Sequence, residues 1–420
     1  MNGQAIAAKL IPVVFEDADY LFVAKPAGFF LPKSAGSAPA RRGGGSELGA
    51  LFSGQPLLVV APLDAHLSGV VPLAKSPEAA QTLAKALEKA RACCDYTAVI
   101  AGKPETARAA GSTGWKPVPQ RHGKSPAIAP QVIRRRGHHH LIGFTYGPAR
   151  SSALRAALQA SKLSLLGEPR RRPDRPSTRP RGRLFLHRGK IQFRHPRTRQ
   201  PVTVHAPLPP AFNAALTRSD RLEDTLEVAL AARIPCLVDE RTDAFRLITG
   251  QVEGLPGLVA EKLGPVVILQ THQGKFQGDL DTLRRVANWY RRTLGSTAVY
   301  HKRFTKSRGS AGDPADAQHE LRDPVPFAGD RVPDEIPIRE HGLTFLVRPY
   351  DGHSVGLFLD QRDNRRKLAE LARGQRVLNV FAYTCGFSIA AAAHGARATV
   401  SVDISVKALE WGKRNFAANG

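Results

Sequence analysis

The sequence predicts a multidomain chain of mixed build: an α+β region, then a small α/β region, then the opening strands of a parallel α/β sheet. Three patterns carry this reading. Residues 12–101 alternate short apolar runs (PVVF, YLFVAK, PLLVVAPL, YTAVIAG) with one amphipathic helix. Residues 222–330 read helix, strands, helix, and residues 376–403 read strand, glycine turn, alanine-rich helix, strand, acid. A chain of 420 residues is also long enough for about two or three domains.

In chain order, SPEAAQTLAKALEKA starts as a helix should, with Ser76, Pro77 and Glu78 at its head. Residues 102–136 are rich in Gly, Pro, Ser and Arg without periodicity and read as a loop insert. SSALRAALQASKLSLLGE is helix-like, and the arginine- and proline-rich EPRRRPDRPSTRPRG (168–182) is a second loop. LFLHRGKIQFRHPRTRQPVTVHAPLPP alternates as a hairpin does, with HPRTRQP at its turn, and Pro207, Pro209 and Pro210 mark a boundary. The helix LEDTLEVALAARI follows, then strands broken by Gly254, Pro256 and Gly257, then the helix DTLRRVANWYRRTL and a polar linker over 304–333. Strand-like IPIREHGLTFLVRP opens the last region. These breaks predict domains over 1–213, 220–333 and 334–420.

A formal charge of +25 favours a polyanion as partner, because cations on a protein release the counterions of nucleic acid. No apolar run approaches the roughly 20 residues of a membrane-spanning helix, and the N-terminus lacks a signal pattern, so the chain reads as cytoplasmic. Cys93, Cys94, Cys236 and Cys385 have no metal spacing and read as reduced thiols. Contiguous His138, His139 and His140 cannot all face one ion and read as a solvated run, so no metal is expected.

In an open α/β sheet, ligands sit at the carboxyl ends of the strands, where a glycine turn lets backbone approach and a later acid can hold ribose hydroxyls. The order RVLNVF, AYTCG, FSIAAAAHGA, TVSVD fits an adenosine-containing cofactor. The plainer reading makes Gly386 a strand-to-helix turn and Asp403 with Ser405 a helix cap.

Two stretches resemble known families. FEDADYLFVAKPAG, PLDAHLSGVVPLAK and the helix ending at Tyr96, then GPARSSALRAALQASKLSLLGE and the closing hairpin, resemble the RluA-type pseudouridine synthases over about residues 12–213. The resemblance implies an α+β synthase-like domain with Asp64 as nucleophile, Tyr96 packing on a flipped base and Arg155 pairing with the carboxylate, as well as RNA contact by Arg150. Ala61 and Pro62 replace the family's His and Arg, and Ser151, Ser152 and Ala153 replace its Thr, His and Gln. Two readings stand: an active uridine isomerase, or a catalytically decayed RNA-binding domain. In the arginine loop, Arg170, Arg171 and Arg172 suit RNA phosphate as well as solvent.

The second stretch, FRLITGQVEGLPGL, GLFLDQRDNR, VLNVFAYTCGFS and VSVDIS, is similar to the RlmI-like methyltransferases, which make 5-methylcytosine in large-subunit ribosomal RNA. The resemblance implies a Rossmann-like sheet binding S-adenosylmethionine through Asn379, Phe381, Tyr383, Thr384, Cys385, Gly386 and Asp403, with Gln361 and Arg362 against the pocket. Cys385 stands where a glycine is common, a change that is tolerable if its φ is negative. The family's Asp-Pro-Pro motif and the cysteine beyond it are not among these residues, so the expectation is that this polypeptide by itself does not methylate RNA. A sheet of two parallel strands should also expose apolar surface.

Overall fold

The computed structural model describes residues 3–31, 51–52, 57–88, 92–101, 128, 130–148, 151–168, 183–217, 220–304, 324–351 and 354–420. The chain divides into two compact units, Asn2–Val238 and Asp239–Gly420. Arg150, Arg170, Arg171 and Arg172 lie outside the described residues. Among the described residues no helix is long and apolar enough to cross a membrane.

The first unit is built on a ten-stranded mixed sheet. Its elements are α1 (Gly3–Leu10), β1 (Val13–Glu16), β2 (Tyr20–Lys25), β3 (Leu58–Val59), β4 (Ser68–Ala74), α2 (Pro77–Glu88), β5 (Cys93–Ala101), β6 (Gln131–Arg136) and β7 (His139–Tyr146). They continue with α3 (Ser151–Ala160), β8 (Ser164–Leu165), β9 (Leu186–Arg194), β10 (Pro201–His205), α4 (Pro210–Thr217), α5 (Leu222–Ala231) and α6 (Ile234–Val238). The main path runs β1-β2-β4-β9-β5-β7-β6, with β10 beside β9, β3 beside β4 and β8 beside β5.

Burial follows position in this sheet. Every residue of central β4 is buried, whereas β6 at the edge buries Val132 alone and exposes Ile133 to Arg136. Ser76 caps α2 by accepting from the Ala79 amide at 3.1 Å, as its sequence predicts. β9 and β10 pair antiparallel across the HPRTRQP turn. Among the described strands the one parallel junction is β4 with β9, at Ser68↔His187 and Gly69↔Arg188. There Gly69 has φ +131°, and a Cβ on it would stand 2.3 Å from the Arg188 carbonyl oxygen, so no larger residue fits without moving backbone. The histidine run is not uniformly solvated: His138 lies in the β6–β7 turn, but His140 is buried.

The second unit begins with β11 (Ala244–Ile248), β12 (Leu258–Leu263), β13 (Val266–His272), α7 (Leu280–Leu294), β14 (Ala298–Phe304) and β15 (Ala328–Gly329). These strands form one sheet in sequence order, parallel only between β13 and β14, which α7 connects. Asp279 caps α7 by accepting from the Thr282 amide at 2.7 Å, and Gly295 ends it with φ 66°. The end of the expected polar linker is instead a short strand, because β15 pairs with β14.

Next come the hairpin β16 (Ile336–Glu340) and β17 (Leu343–Val347), a 3₁₀ turn at Leu359–Gln361, α8 (Arg362–Ala372), β18 (Arg376–Val380), α9 (Gly386–Ala393), β19 (Ala398–Val402) and α10 (Val406–Ala417). One apolar cluster joins Ile268 and Tyr300 of the five-stranded sheet to Ile338, Phe345, Leu357 and Ile389. The strands β18 and β19 are parallel and bracket α9. Leu378 faces Val400 and Val380 faces Val402 in register, and all four side chains are exposed.

Candidate functional site

The loop Phe381–Cys385 leaves the carboxyl end of β18, and Asp403 follows the end of β19. Parallel pairing, with Val380 opposite Val402, brings these two ends side by side. Asp403 then joins them. One carboxylate oxygen accepts from the Tyr383 amide at 2.8 Å and the other from the Ser405 amide at 2.9 Å. The amides of Ser405 and Tyr383 hold the Asp403 carboxyl below its usual range. Ser405 caps α10 by accepting from the Ala408 amide at 3.2 Å, so the plainer reading of this pair is also met in the geometry.

The backbone of the loop is unusual. Phe381, Tyr383 and Cys385 have φ of 60°, 50° and 63°, three left-handed residues that are not glycine within five positions. The condition under which Cys385 would replace glycine without strain, a negative φ, is therefore not met. Such conformations cost about 1–2 kcal/mol per residue and persist where surrounding contacts dictate them. Those contacts are visible: the Asp403 bond to Tyr383, Thr384 Oγ1 donating to the Gly356 carbonyl at 2.5 Å, and Asn415 Nδ2 donating to the Thr384 carbonyl at 3.2 Å.

The other residues expected here are placed as follows. Asn379 on β18 donates to Ser388 Oγ of α9 at 2.8 Å, fixing strand to helix. Phe381 is 91% exposed. Cys385 is buried against α10, where a Cβ on Gly412 would come 2.5 Å from its sulfur, and burial pushes the thiol's pKa up. Gly386 opens α9, beneath which lie Leu357 and Arg365. Gln361 accepts from Asn364 Nδ2 at 2.9 Å, and Arg362 lies beside Asp363, so both are engaged within their own turn. Contact with the loop comes from their neighbours: Gly356 through Thr384, and Phe358 with its ring centroid 5.2 Å from that of Tyr383.

Sequence reasoning missed Arg365, although the DQRDNR string contains it. It is buried and meets both oxygens of buried Glu340, at 2.6 and 2.7 Å, and donates to the Phe358 carbonyl at 2.9 Å. This fork-to-fork pair anchors α8 on β16 under the loop.

A second arrangement surrounds Asp64 in the first unit. The exposed Asp64 sits on the loop between β3 and β4, whose carbonyls are held from below. Lys25, fully buried at the end of β2, donates to the carbonyls of Pro26 (2.8 Å), Phe29 (3.0 Å) and Ala65 (3.2 Å). Arg188, fully buried on β9, donates to the carbonyls of Val70 (2.8 Å) and Ala61 (2.7 Å). Neither forms an ion pair with a carboxylate among the described residues. Burial pushes the Lys25 pKa well down, with the Arg183 charge adding to that and Asp64 opposing it. Close by, Ser68 Oγ lies 3.0 Å from His187 Nδ1, and burial lowers the His187 pKa to about 4.

Tyr96 and Arg155 are placed as follows. Tyr96 on β5 is buried and stacked on Phe144, with ring centroids 5.5 Å apart and 13° between planes. Its hydroxyl lies beside the Cys94 thiol and the Arg188 guanidinium, neither at hydrogen-bonding geometry, and burial raises its pKa. The expected ion pair of Arg155 with Asp64 is corrected: Arg155 on α3 pairs with Glu168, thirteen residues on, which the turn after β8 brings back to the helix.

Residues 318–420, which include the whole Asp403 arrangement, match the family of S-adenosylmethionine-dependent methyltransferases. The chain is also similar to curated relatives. The ribosomal RNA large subunit methyltransferase of Deinococcus radiodurans is 35% identical over 198 residues, 46% of this chain and 47% of the relative. Ribosomal RNA large subunit methyltransferase I of Erwinia tasmaniensis is 34% identical over 181 residues, 43% of each. The chain thus spans about half the length of the curated relatives it matches. Among solved structures, a SAM-dependent methyltransferase of Streptococcus mutans is 22% identical, with 55% of each chain covered and a TM-score of 0.40. Human RNA pseudouridylate synthase domain containing 4 is 15% identical, covering 55% of this chain and 97% of its own, with a TM-score of 0.36.

Proposed function

We propose that residues 239–420 carry the cofactor site of a cytoplasmic enzyme of the class that methylates large-subunit ribosomal RNA, with S-adenosylmethionine as methyl donor. The observation that carries this reading is the bridging of the two parallel strand ends by Asp403, with the strained loop 381–385 held beside it. The bound cofactor supplies an electrophilic methyl group. The chain's own part is to present loop amides and the Asp403 carboxylate to the adenosine, with Asn379 and Ser388 fixing strand to helix. Gln361 at the end of the 3₁₀ turn and Arg362 at the start of α8 are offered as further contacts to the cofactor. The relatives' names and the charge of +25 support RNA as the partner, and Arg150, Arg170, Arg171 and Arg172 are offered as phosphate contacts. Calorimetric titration of the full chain with S-adenosylmethionine tests the reading. Saturable binding is expected, weakened at least about tenfold by Asp403→Ala, roughly the loss of one charge-assisted hydrogen bond. A wild-type chain that binds no cofactor refutes it.

A second reading, uridine isomerisation at Asp64, has one observation in its favour: buried cations fix the carbonyls of Ala61 and Ala65 on either side of an exposed acid. Release of tritium from RNA labelled at uridine C5, abolished by Asp64→Ala, would support it. No release from the wild type removes this reading and leaves the methyltransferase proposal standing.

A further inference from the structure

The edge of the ten-stranded sheet carries a feature that neither reading uses. Among the described residues β6 ends the strand order and pairs with β7 alone. A bulge between Val132 and Arg134 leaves Ile133 unopposed, and beyond it Arg134, Arg135 and Arg136 run outward opposite Leu141, His140 and His139. Gly137, with φ 55° and open space where a Cβ would be, and exposed His138 close the turn. All three arginines are exposed. Arg134 and Arg136 project from one face about 7 Å apart, and Arg135 from the other, given the strand's rise and alternation.

The bland reading is edge protection. Charge on an edge strand blocks pairing with other chains, and a bulge turns the edge away. Two observations go further. Arg134 donates to Asn213 Oδ1 at 3.2 Å, but none of the three forms an ion pair with an acid among the described residues. A solvated face that merely guards an edge is served by lysine or by mixed charge. Here three guanidinium forks stand together, the group that matches phosphate in geometry as well as charge.

We infer that the β6–β7 hairpin is a docking surface for the phosphodiester backbone of RNA, with Arg134, Arg135 and Arg136 as the contacting groups. This rests on the reading of the chain as an RNA-modifying protein and adds to it a described surface. The contact is with backbone, so it is indifferent to base sequence and sensitive to salt.

The test is fluorescence anisotropy of the full chain with a labelled oligouridylate of about 20 nucleotides, titrated between roughly 50 and 300 mM KCl. Replacing the three arginines together by glutamine should weaken binding at least about tenfold at the lower salt. The slope of log K against log salt should fall by about 2, since each cation contributes about 0.7 on a single strand. The corresponding triple lysine variant should keep the slope. All three side chains are exposed, so both variants are expected to fold, which circular dichroism checks. Unchanged affinity and slope in the glutamine variant overturn the inference, and self-association of that variant on a sizing column would then assign the arginines to edge protection. In that outcome the methyltransferase reading survives, because cofactor binding is measured separately. A wild-type chain that binds no RNA at all overturns the hairpin and the RNA partner together.

Discussion

Two aspartates, the exposed Asp64 and the half-buried Asp403, each on a loop near a strand end, are supported in opposite ways. At Asp64 the main chain is the acceptor: buried Lys25 and Arg188 reach the carbonyls of Ala65 and Ala61. At Asp403 the main chain is the donor: the carboxylate itself takes the amides of Tyr383 and Ser405. Beneath the first loop the hydrogen bonds that Lys25 and Arg188 donate go to carbonyls, whereas beneath the second the buried Arg365 meets the full charge of Glu340. The difference teaches where each loop is vulnerable. The first depends on its dry interior, and the second on its own acid and on one ion pair.

The largest effect is expected at that ion pair. Arg365→Met leaves Glu340 buried without its partner and should cost about 3–5 kcal/mol in urea unfolding, while Arg365→Met with Glu340→Leu should recover most of the loss. Equal destabilisation by the single and double variants would break the contrast between the two loops.

An effect nearly as large should distinguish the first loop by pH. His187, beside Ser68 at the foot of the Asp64 loop, is held neutral with its pKa lowered from 6.5 to about 4. The unfolded chain therefore binds a proton that the folded chain does not between these values. The stability this group contributes is full above pH 6.5 and is lost as pH falls towards 4, on the order of 3 kcal/mol in all. Urea unfolding across this window should show the loss, and His187→Gln should flatten it. An unaltered pH profile in the variant would show that the histidine does not carry the sensitivity.

The smallest effect concerns strain. Phe381 is exposed at φ 60°, so Phe381→Gly should raise the thermal stability of the second unit by about 0.5–1 kcal/mol, the left-handed penalty less the extra chain entropy of glycine. A loss of stability would mean that the phenylalanine ring makes contacts worth more than the strain.

The order of elements was legible in the sequence wherever periodicity and caps agree. The helix from Leu280 has Asp279 before it and Gly295 after it, and the strand, turn, helix and strand from Arg376 to Val402 stand where their runs lie. The buried cations were not legible. Lys25, Arg188 and Arg365 are residue types that belong to the surface, and what draws them inside is a set of carbonyls, or one carboxylate, from distant segments. The loop conformation escaped for the same reason: nothing in Phe, Tyr or Cys favours the left-handed region, and it is Asp403, twenty residues on from Tyr383, that holds that amide in place. The pairing of Arg155 went astray because Glu168 reaches it only through the turn after β8.

Asp403 also has capacity left over. A carboxylate offers about four lone-pair directions, and each of its oxygens here accepts one amide. One direction on each oxygen is therefore left beyond its amide, two in all, and two is the number of hydrogens that a vicinal diol has to donate. A single side chain can thus brace its own loop and still receive both hydroxyls of a sugar, without surrendering either bond for the other.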